Sequence, residues 1–300
     1  MYAPPCHIDV DWISFDPWRI TTVRHDYARH PLLQMGSLAQ LAERLDHRDQ
    51  TFSFSGAARA NANFNSVALT HPNRHDTANT LRNIRDVNAW MLLRHVQGDP
   101  VYRGLVDEIL DGIEPDLSQV DPGMCYRAGW IFFSSPRTVT PFHIDRNHVL
   151  LLQMQGTKTV YVWPPDDRIA VDDGARGHFL DCHRLDQVHW HEELRERAQR
   201  IVLEPDMGVY MPLTSPHMVE MGDEPSLAMS VSYNTDASRT RARQHVVRER
   251  ARHFHVGLPD IGRQPAFDAA VSLGAQAAMR VEHWIGGHAD VDGSRYAAVE

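Results

Sequence analysis

Lysine is nearly missing from this chain. Of its 30 basic side chains only Lys158 is a lysine, and every other one is an arginine. Cysteine is scarce too. Cys6, Cys125 and Cys182 are odd in number, far apart and form no CxxC pair, so neither a disulfide framework nor a thiolate zinc site is expected. No apolar run approaches the roughly 18 residues that a membrane span needs. The opening stretch, MYAPPCHIDVDWISFD, holds neither a basic n-region nor an apolar h-region. The expectation is therefore no secretory signal, no membrane and a cytoplasmic address. Net charge is -9, which argues against general nucleic-acid binding. Repeats and low-complexity tracts are absent as well.

What is present suits one large globular core: 300 residues, 42% hydrophobic and 23% charged. Residues 1–120 mix short strand-like pieces with helices. GSLAQLAERLDHR reads as a helix with Ser37 as a possible cap, and the stretch from HDTANTLRNI to DEILDGI reads as helical throughout. Asp99-Pro100 has the form of a helix start, with Asp as cap and Pro at the first position. After Asp121-Pro122-Gly123 the pattern changes. GWIFFSS, RTVTPFHID, HVLLLQMQ and KTVYVWP read as strands, then GVYMP, HMVEM and LAMSVSYN follow a polar insert at 164–200. Short strands at this spacing predict a sandwich or small barrel over 121–237, with helices again over 238–300. One structural domain is expected, mainly β with helical flanks.

PFHIDRNH sets His143 and Asp145 two residues apart, which on a strand points both to one face. A third ligand must come from elsewhere, and His217, at a strand start after a Pro-bounded turn, is the best placed. Two His and one carboxylate form the facial triad of non-haem Fe(II) sites. HxD alone is a weak signal. Its apolar surroundings strengthen it, because unpaired polar groups are costly in an interior. Other histidines compete less well. His189 and His191, with Glu196, superficially resemble the HxH-x4-E of metal-binding cupins, but Glu196 lies within EELRERAQRI, which reads as a helix rather than the strands that motif needs. His148 has the wrong parity relative to Asp145 and reads as core or as a support to the metal ligands, and His253 and His255 read as surface.

KTVYVW places Lys158, Val160 and Val162 on one face of an apolar strand. A buried ammonium needs an anion, and these strands offer only Asp145, which is engaged elsewhere. A bound carboxylate is the natural partner. Lysine brings a slim stem and compact charge where arginine would bring a broad fork. In SLAMSVSYN, Leu227, Met229, Val231 and Tyr233 form a core face. Ser226, Ala228, Ser230, Ser232 and Asn234 form a small, polar face suited to solvent or to a pocket.

TPFHIDRNHVLLLQMQGTKTVYVWPP, with LEPDMGVYMPLTSPHMVEM and SLAMSVSYN, resembles the JmjC and cupin-like family of Fe(II)- and 2-oxoglutarate-dependent oxygenases. Family members carry T-x-x-H-x-D followed by G-x-K, with the Lys fifteen residues after the first His, as Lys158 is after His143. The likeness runs from about Gly129 to Thr235. It implies a double-stranded β-helix (jelly-roll, cupin) core, with Fe(II) held by His143, Asp145 and His217. It also implies that Lys158 and Thr140 bind the distal carboxylate of 2-oxoglutarate, and that Ser232 contacts the co-substrate. Thr140 has the wrong parity relative to His143, so this role needs a bulge near Pro141. Val149 stands where many members carry Asn.

The implied activity is hydroxylation of an unactivated C–H bond of a protein, peptide or small molecule, with O2 as oxidant. Two alternatives stand beside it. One is a metal-binding cupin of isomerase type, which leaves Lys158 unexplained. The other is a non-catalytic regulatory protein, favoured by the basic run RTRARQHVVRERARHF. FDAAVSLGAQAAMRVEHWI reads as a core helix or as a homodimer contact.

Overall fold

In a computed structural model the structure describes residues 6–274. The chain runs β1 (Ile8–Asp9), β2 (Thr21–His25), α1 (Met35–Asp46), β3 (Thr51–Ser55), α2 (Val67–Thr70), α3 (Thr77–Arg82), β4 (Ala89–Leu93) and α4 (Pro100–Val120). Then come β5 (Cys125–Ser134), β6 (Val139–His143), β7 (His148–Gln155), β8 (Lys158–Val162) and α5 (Asp173–Cys182). The remaining elements are β9 (Gln199–Leu203), β10 (Met207–Met211), β11 (His217–Met221), β12 (Ser226–Asn234) and α6 (Asp236–His253). Residues 265–274 are helical, and the rest of the expected C-terminal helix lies outside the described residues.

Strands β5 to β12 form a double-stranded β-helix, as expected. The larger sheet has the order β1-β2-β10-β7-β12-β5-β4-β3 and the smaller one β6-β11-β8-β9. Period-two alternation sorts each strand's side chains between layers. Val160, Val162, Val209, Val219, Met221 and Ala228 meet between the sheets. Leu150, Leu152, Met229, Val231 and Tyr233 face outward under the helices. Gly156 turns β7 into β8 at φ +69°, where a Cβ would sit 2.3 Å from the carbonyl oxygen of Pro225.

Helix α4 covers the outer face of the larger sheet. Asp99 caps it by accepting from the Val101 and Tyr102 N–H groups, and Pro100 fills its first position. Tyr102, Leu105, Ile109, Ile113 and Leu117 make its buried stripe. Buried Arg127 of β5 fastens the sheet to this helix through Asp107, Asp111 and Glu114 at 3.0, 2.6 and 2.7 Å.

Three local expectations are corrected. Ser37 lies inside α1, whose cap is Gln34. NAWMLLRH, read as helix, is strand β4, buried on both faces between β3 and β5. A continuous apolar run does not distinguish such a strand from a helix. EELRERAQRI is a 3-10 turn over Glu192–Arg197 followed by β9, so the polar insert ends at 198. Pairing with β8 overrides the helical propensity of this stretch.

At the end of α4, Asp121 is 2% exposed. Burial pushes its carboxyl up to about 6, and Asp236 adds to the shift. A folded value above the unfolded one means that ionisation at neutral pH opposes folding. Stability from this group is fully present below about pH 4 and is lost as pH rises through 6. Asp121→Asn is expected to stabilise the protein by about 1–3 kcal/mol at pH 7.5, a rise of a few degrees in Tm. Melting curves at pH 4 and 7.5 check this, since the gain should vanish at the lower pH.

Candidate metal centre and co-substrate pocket

His143 closes β6, Asp145 follows it, and His217 opens β11 directly opposite His143. The Nε2 atoms of His143 and His217 lie 3.9 and 3.6 Å from the two Asp145 oxygens, and the imidazole centroids are 4.1 Å apart. Among the described residues this is the one His/Cys/Asp/Glu group whose donor atoms all lie within 4.8 Å of one another. Both rings are held in the same way. His143 Nδ1–H donates to the Pro141 carbonyl at 2.8 Å and His217 Nδ1–H to the Ser215 carbonyl at 3.0 Å. Each Nε2 is thus left as a lone pair facing the shared carboxylate, the arrangement metal-binding histidines need. Burial, with the nearby His217, pushes the His143 imidazole down to about 4, which keeps it neutral. The donor set fits a divalent ion of the iron type.

Backbone contacts fix the spacing of the centre. Thr214 N–H donates to the Asp145 carbonyl at 2.8 Å, and Trp163 N–H to the Pro216 carbonyl at 2.9 Å. Thr214 sits at φ +59°, a strained region for a β-branched residue, inside the turn that carries His217.

The bulge needed for Thr140 is present. His217 faces His143, but Val219 faces Thr140, so three residues of β6 span two of β11. Thr140 is thereby turned into the barrel. Lys158 shares that inner face, one pleat beyond Val160, which is itself opposite Val219. Lys158 is 4% exposed, with Leu203 and Met221 as its strand partners. Among the described residues no carboxylate lies within ion-pair distance of its amine. Burial alone pushes the ammonium down to about 7. Ser232 lies on the opposite sheet, between Val149 and Ala128, and its hydroxyl accepts from Trp130 Nε1 at 3.4 Å.

The competing histidines stand apart from this cluster. His148 is fully buried behind the larger sheet, with Tyr210 Oη and the Leu213 N–H at its Nδ1. His189, His191, His253 and His255 are exposed. The basic run is absorbed within the protein: Arg239, Arg248, Arg250 and Arg252 pair with Asp236, Asp268, Asp181 and Glu249. No helix among the described residues is long and apolar enough to cross a membrane.

Two site residues escaped the reading of the sequence. Phe64 stacks on His143 with centroids 4.8 Å apart and planes at 12°. Trp90 donates from Nε1 to Thr140 Oγ1 at 2.9 Å. A lone aromatic in the small, polar loop GAARANANFNS is a usable signal for Phe64. Trp90 gives none, because it is fifty residues from its partner in sequence.

No family model matches the chain, and no curated protein does. Among solved structures, YcfD, a ribosomal oxygenase from Escherichia coli, aligns over 93% of this chain and 68% of its own, at 14% identity and a TM-score of 0.48. The same protein in complex with cobalt and 2-oxoglutarate aligns over 94% and 71%, at 16% identity and a TM-score of 0.47. The DMSP lyase DddQ from Ruegeria pomeroyi DSS-3 aligns over 36% and 38%, at 14% identity and a TM-score of 0.23. Identities this low say nothing of what this chain acts on.

A buried lysine without an anion should weaken the fold that carries it. Its folded value lies below that of the unfolded chain, so the cost is greatest below pH 7 and fades as pH rises toward 10. Lys158→Met is expected to raise the stability of the ligand-free protein by roughly 2–4 kcal/mol at pH 6, and by much less at pH 9.5. Urea unfolding at the two pH values checks the sign, and a loss of stability at pH 6 sinks the assignment of Lys158 as uncompensated.

Proposed function

We propose that this protein is an Fe(II)- and 2-oxoglutarate-dependent oxygenase that hydroxylates an unactivated C–H bond. One observation carries the proposal: a His-Asp-His cluster at the mouth of a β-helix whose inner face also holds a buried lysine with no anion among the described residues. A metal-binding cupin of isomerase type has no need of that lysine.

The net reaction converts substrate C–H, O2 and 2-oxoglutarate into C–OH, succinate and CO2. Fe(II) held by His143, Asp145 and His217 supplies oxygen activation. The chain's own residues do the positioning. The Pro141 and Ser215 carbonyls hold the two imidazoles with Nε2 inward, and Asp145 contributes charge. Lys158 pairs with the distal carboxylate of 2-oxoglutarate, while the Thr140 hydroxyl donates to the same group. Ser232 borders the co-substrate from the opposite sheet. Val160, Val162, Val209 and Val219 keep water from the pocket, which strengthens each of these contacts. The site leaves the substrate open among protein, peptide and small molecule.

Alanine at His143, Asp145 or His217 should each leave a folded protein. Metal affinity is expected to fall by at least about a hundredfold, with succinate formation at background. Wild-type turnover by His217→Ala would exclude the triad.

Lys158→Ala strands a carboxylate in a dry pocket. Losing one partner of a buried pair costs about 2–5 kcal/mol, or roughly thirty- to several-thousand-fold in 2-oxoglutarate affinity. Metal affinity should not change. Lys158→Arg keeps the charge but is too broad for the slot and should not restore binding. Titration of 2-oxoglutarate into iron-loaded, oxygen-free protein reads both. Wild-type affinity in Lys158→Ala removes the lysine from the pocket.

A further inference from the structure

A hydroxyl group has one proton to donate and two lone pairs to accept with. At Thr140 one lone pair is occupied, because Trp90 Nε1–H, which can only donate, lies 2.9 Å from Oγ1. The hydroxyl proton is therefore left for an acceptor elsewhere. Among the described residues no acceptor is within hydrogen-bond reach of it. Thr140 is 7% exposed and faces the barrel interior on the same face as Lys158. An interior donor without an acceptor is costly unless a ligand supplies one.

Trp90 is held firmly enough to set this direction. It is fully buried in β4, with Phe54 stacked on it at 4.7 Å and 20°. Phe52, Phe64 and Phe132 meet it edge-on at 6.2, 5.7 and 5.6 Å. Four neighbouring aromatic rings thus fix one N–H vector, and that vector fixes the rotor of one hydroxyl.

We propose that Trp90 is a positioning residue: its indole N–H locks the Thr140 hydroxyl as a donor aimed at the carboxylate of the bound co-substrate. This rests on the reading of the pocket as a 2-oxoglutarate site. Without the indole N–H the hydroxyl can turn away, and binding then carries the entropic cost of fixing that rotor. A merely structural role makes a different claim, namely that Thr140 only satisfies a buried Trp. In that case loss of the N–H lowers stability and leaves ligand affinity alone.

The test is a double-mutant cycle read by 2-oxoglutarate titration into cobalt-loaded, oxygen-free protein, with cobalt affinity measured separately. Thr140→Val should weaken 2-oxoglutarate by about tenfold or more, the usual scale for a hydrogen bond to a charged group. Trp90→Phe should weaken it by about three- to tenfold, and the double variant no more than Thr140→Val alone, because the two act through one bond. Cobalt affinity should stay unchanged in all three. Benzothienylalanine at position 90 keeps the ring size and drops only the N–H, so it covers the case in which Trp90→Phe does not fold, and it should match the Trp90→Phe result. Wild-type affinity in both position-90 variants overturns the proposal, as do additive losses in the double variant. Wild-type affinity in Thr140→Val overturns it by removing Thr140 from the pocket. Failure of the unaltered protein to bind 2-oxoglutarate sinks the oxygenase reading itself.

Discussion

The site depends on one irregularity, the extra residue in β6 between Thr140 and His143. In a regular strand a residue and its neighbour three positions on face opposite ways. Thr140 and His143 would then sit on opposite sides of the smaller sheet, one in the barrel and one under the insert. The register shift against β11 lets both point inward, so the His143 imidazole and the Thr140 hydroxyl share one cavity. Its cost is offset by neighbours that grip the strand there. Phe142 N–H donates to the Ala60 carbonyl at 3.0 Å, and Phe142 itself packs against Trp163 and Trp190 outside the barrel.

Around that irregularity the protein keeps groups in states that weaken a fold and serve a site. Among the described residues Lys158 is a cation without an anion and Thr140 a donor without an acceptor, and Thr214 is a β-branched residue in a left-handed turn. None improves the metal-free protein, and all three lie in the strands and turns around the cavity. Elsewhere among the described residues, Asp121 excepted, buried charges are mostly matched. Arg127 meets three carboxylates, and the arginines of α6 lie against the acidic groups of α5 and residues 236–268. The contrast in treatment, rather than any one group, marks the barrel mouth as the working end.

Much of this was legible in the sequence because the relevant signals are local. HVLLLQMQ and HMVEM are strands with the same ends in the structure as in the pattern, and the alternation in KTVYVW does turn Lys158, Val160 and Val162 inward. The spacing of His143 and Asp145, set in apolar strands, draws attention to that pair, whereas Thr140 comes only from the family resemblance, which requires the bulge that the register shift supplies. What stayed hidden depends on pairing across long separations. AWMLL is a strand because β3 and β5 flank it, and QRIVL because β8 lies beside it. Neither segment carries its own instruction. Trp90 and Phe64 belong to the same category, since their importance lies wholly in what the fold sets beside them.

The loop at 56–66 has a bearing on how such a barrel could be shortened or transplanted. It lies along the open edge of β6, places Phe64 on the His143 imidazole, and reaches the insert through Asn65, which accepts from Leu185 N–H at 2.7 Å. A fragment holding only the eight strands from β5 to β12 would retain every ligand and lose the wall around them. It would expose a β edge that is covered in the whole chain and free the rings that hold Thr140 and His143. The unit that a designer could move between scaffolds is therefore not the barrel. It is the barrel together with the loop and the two strands, β3 and β4, that come before it in the chain.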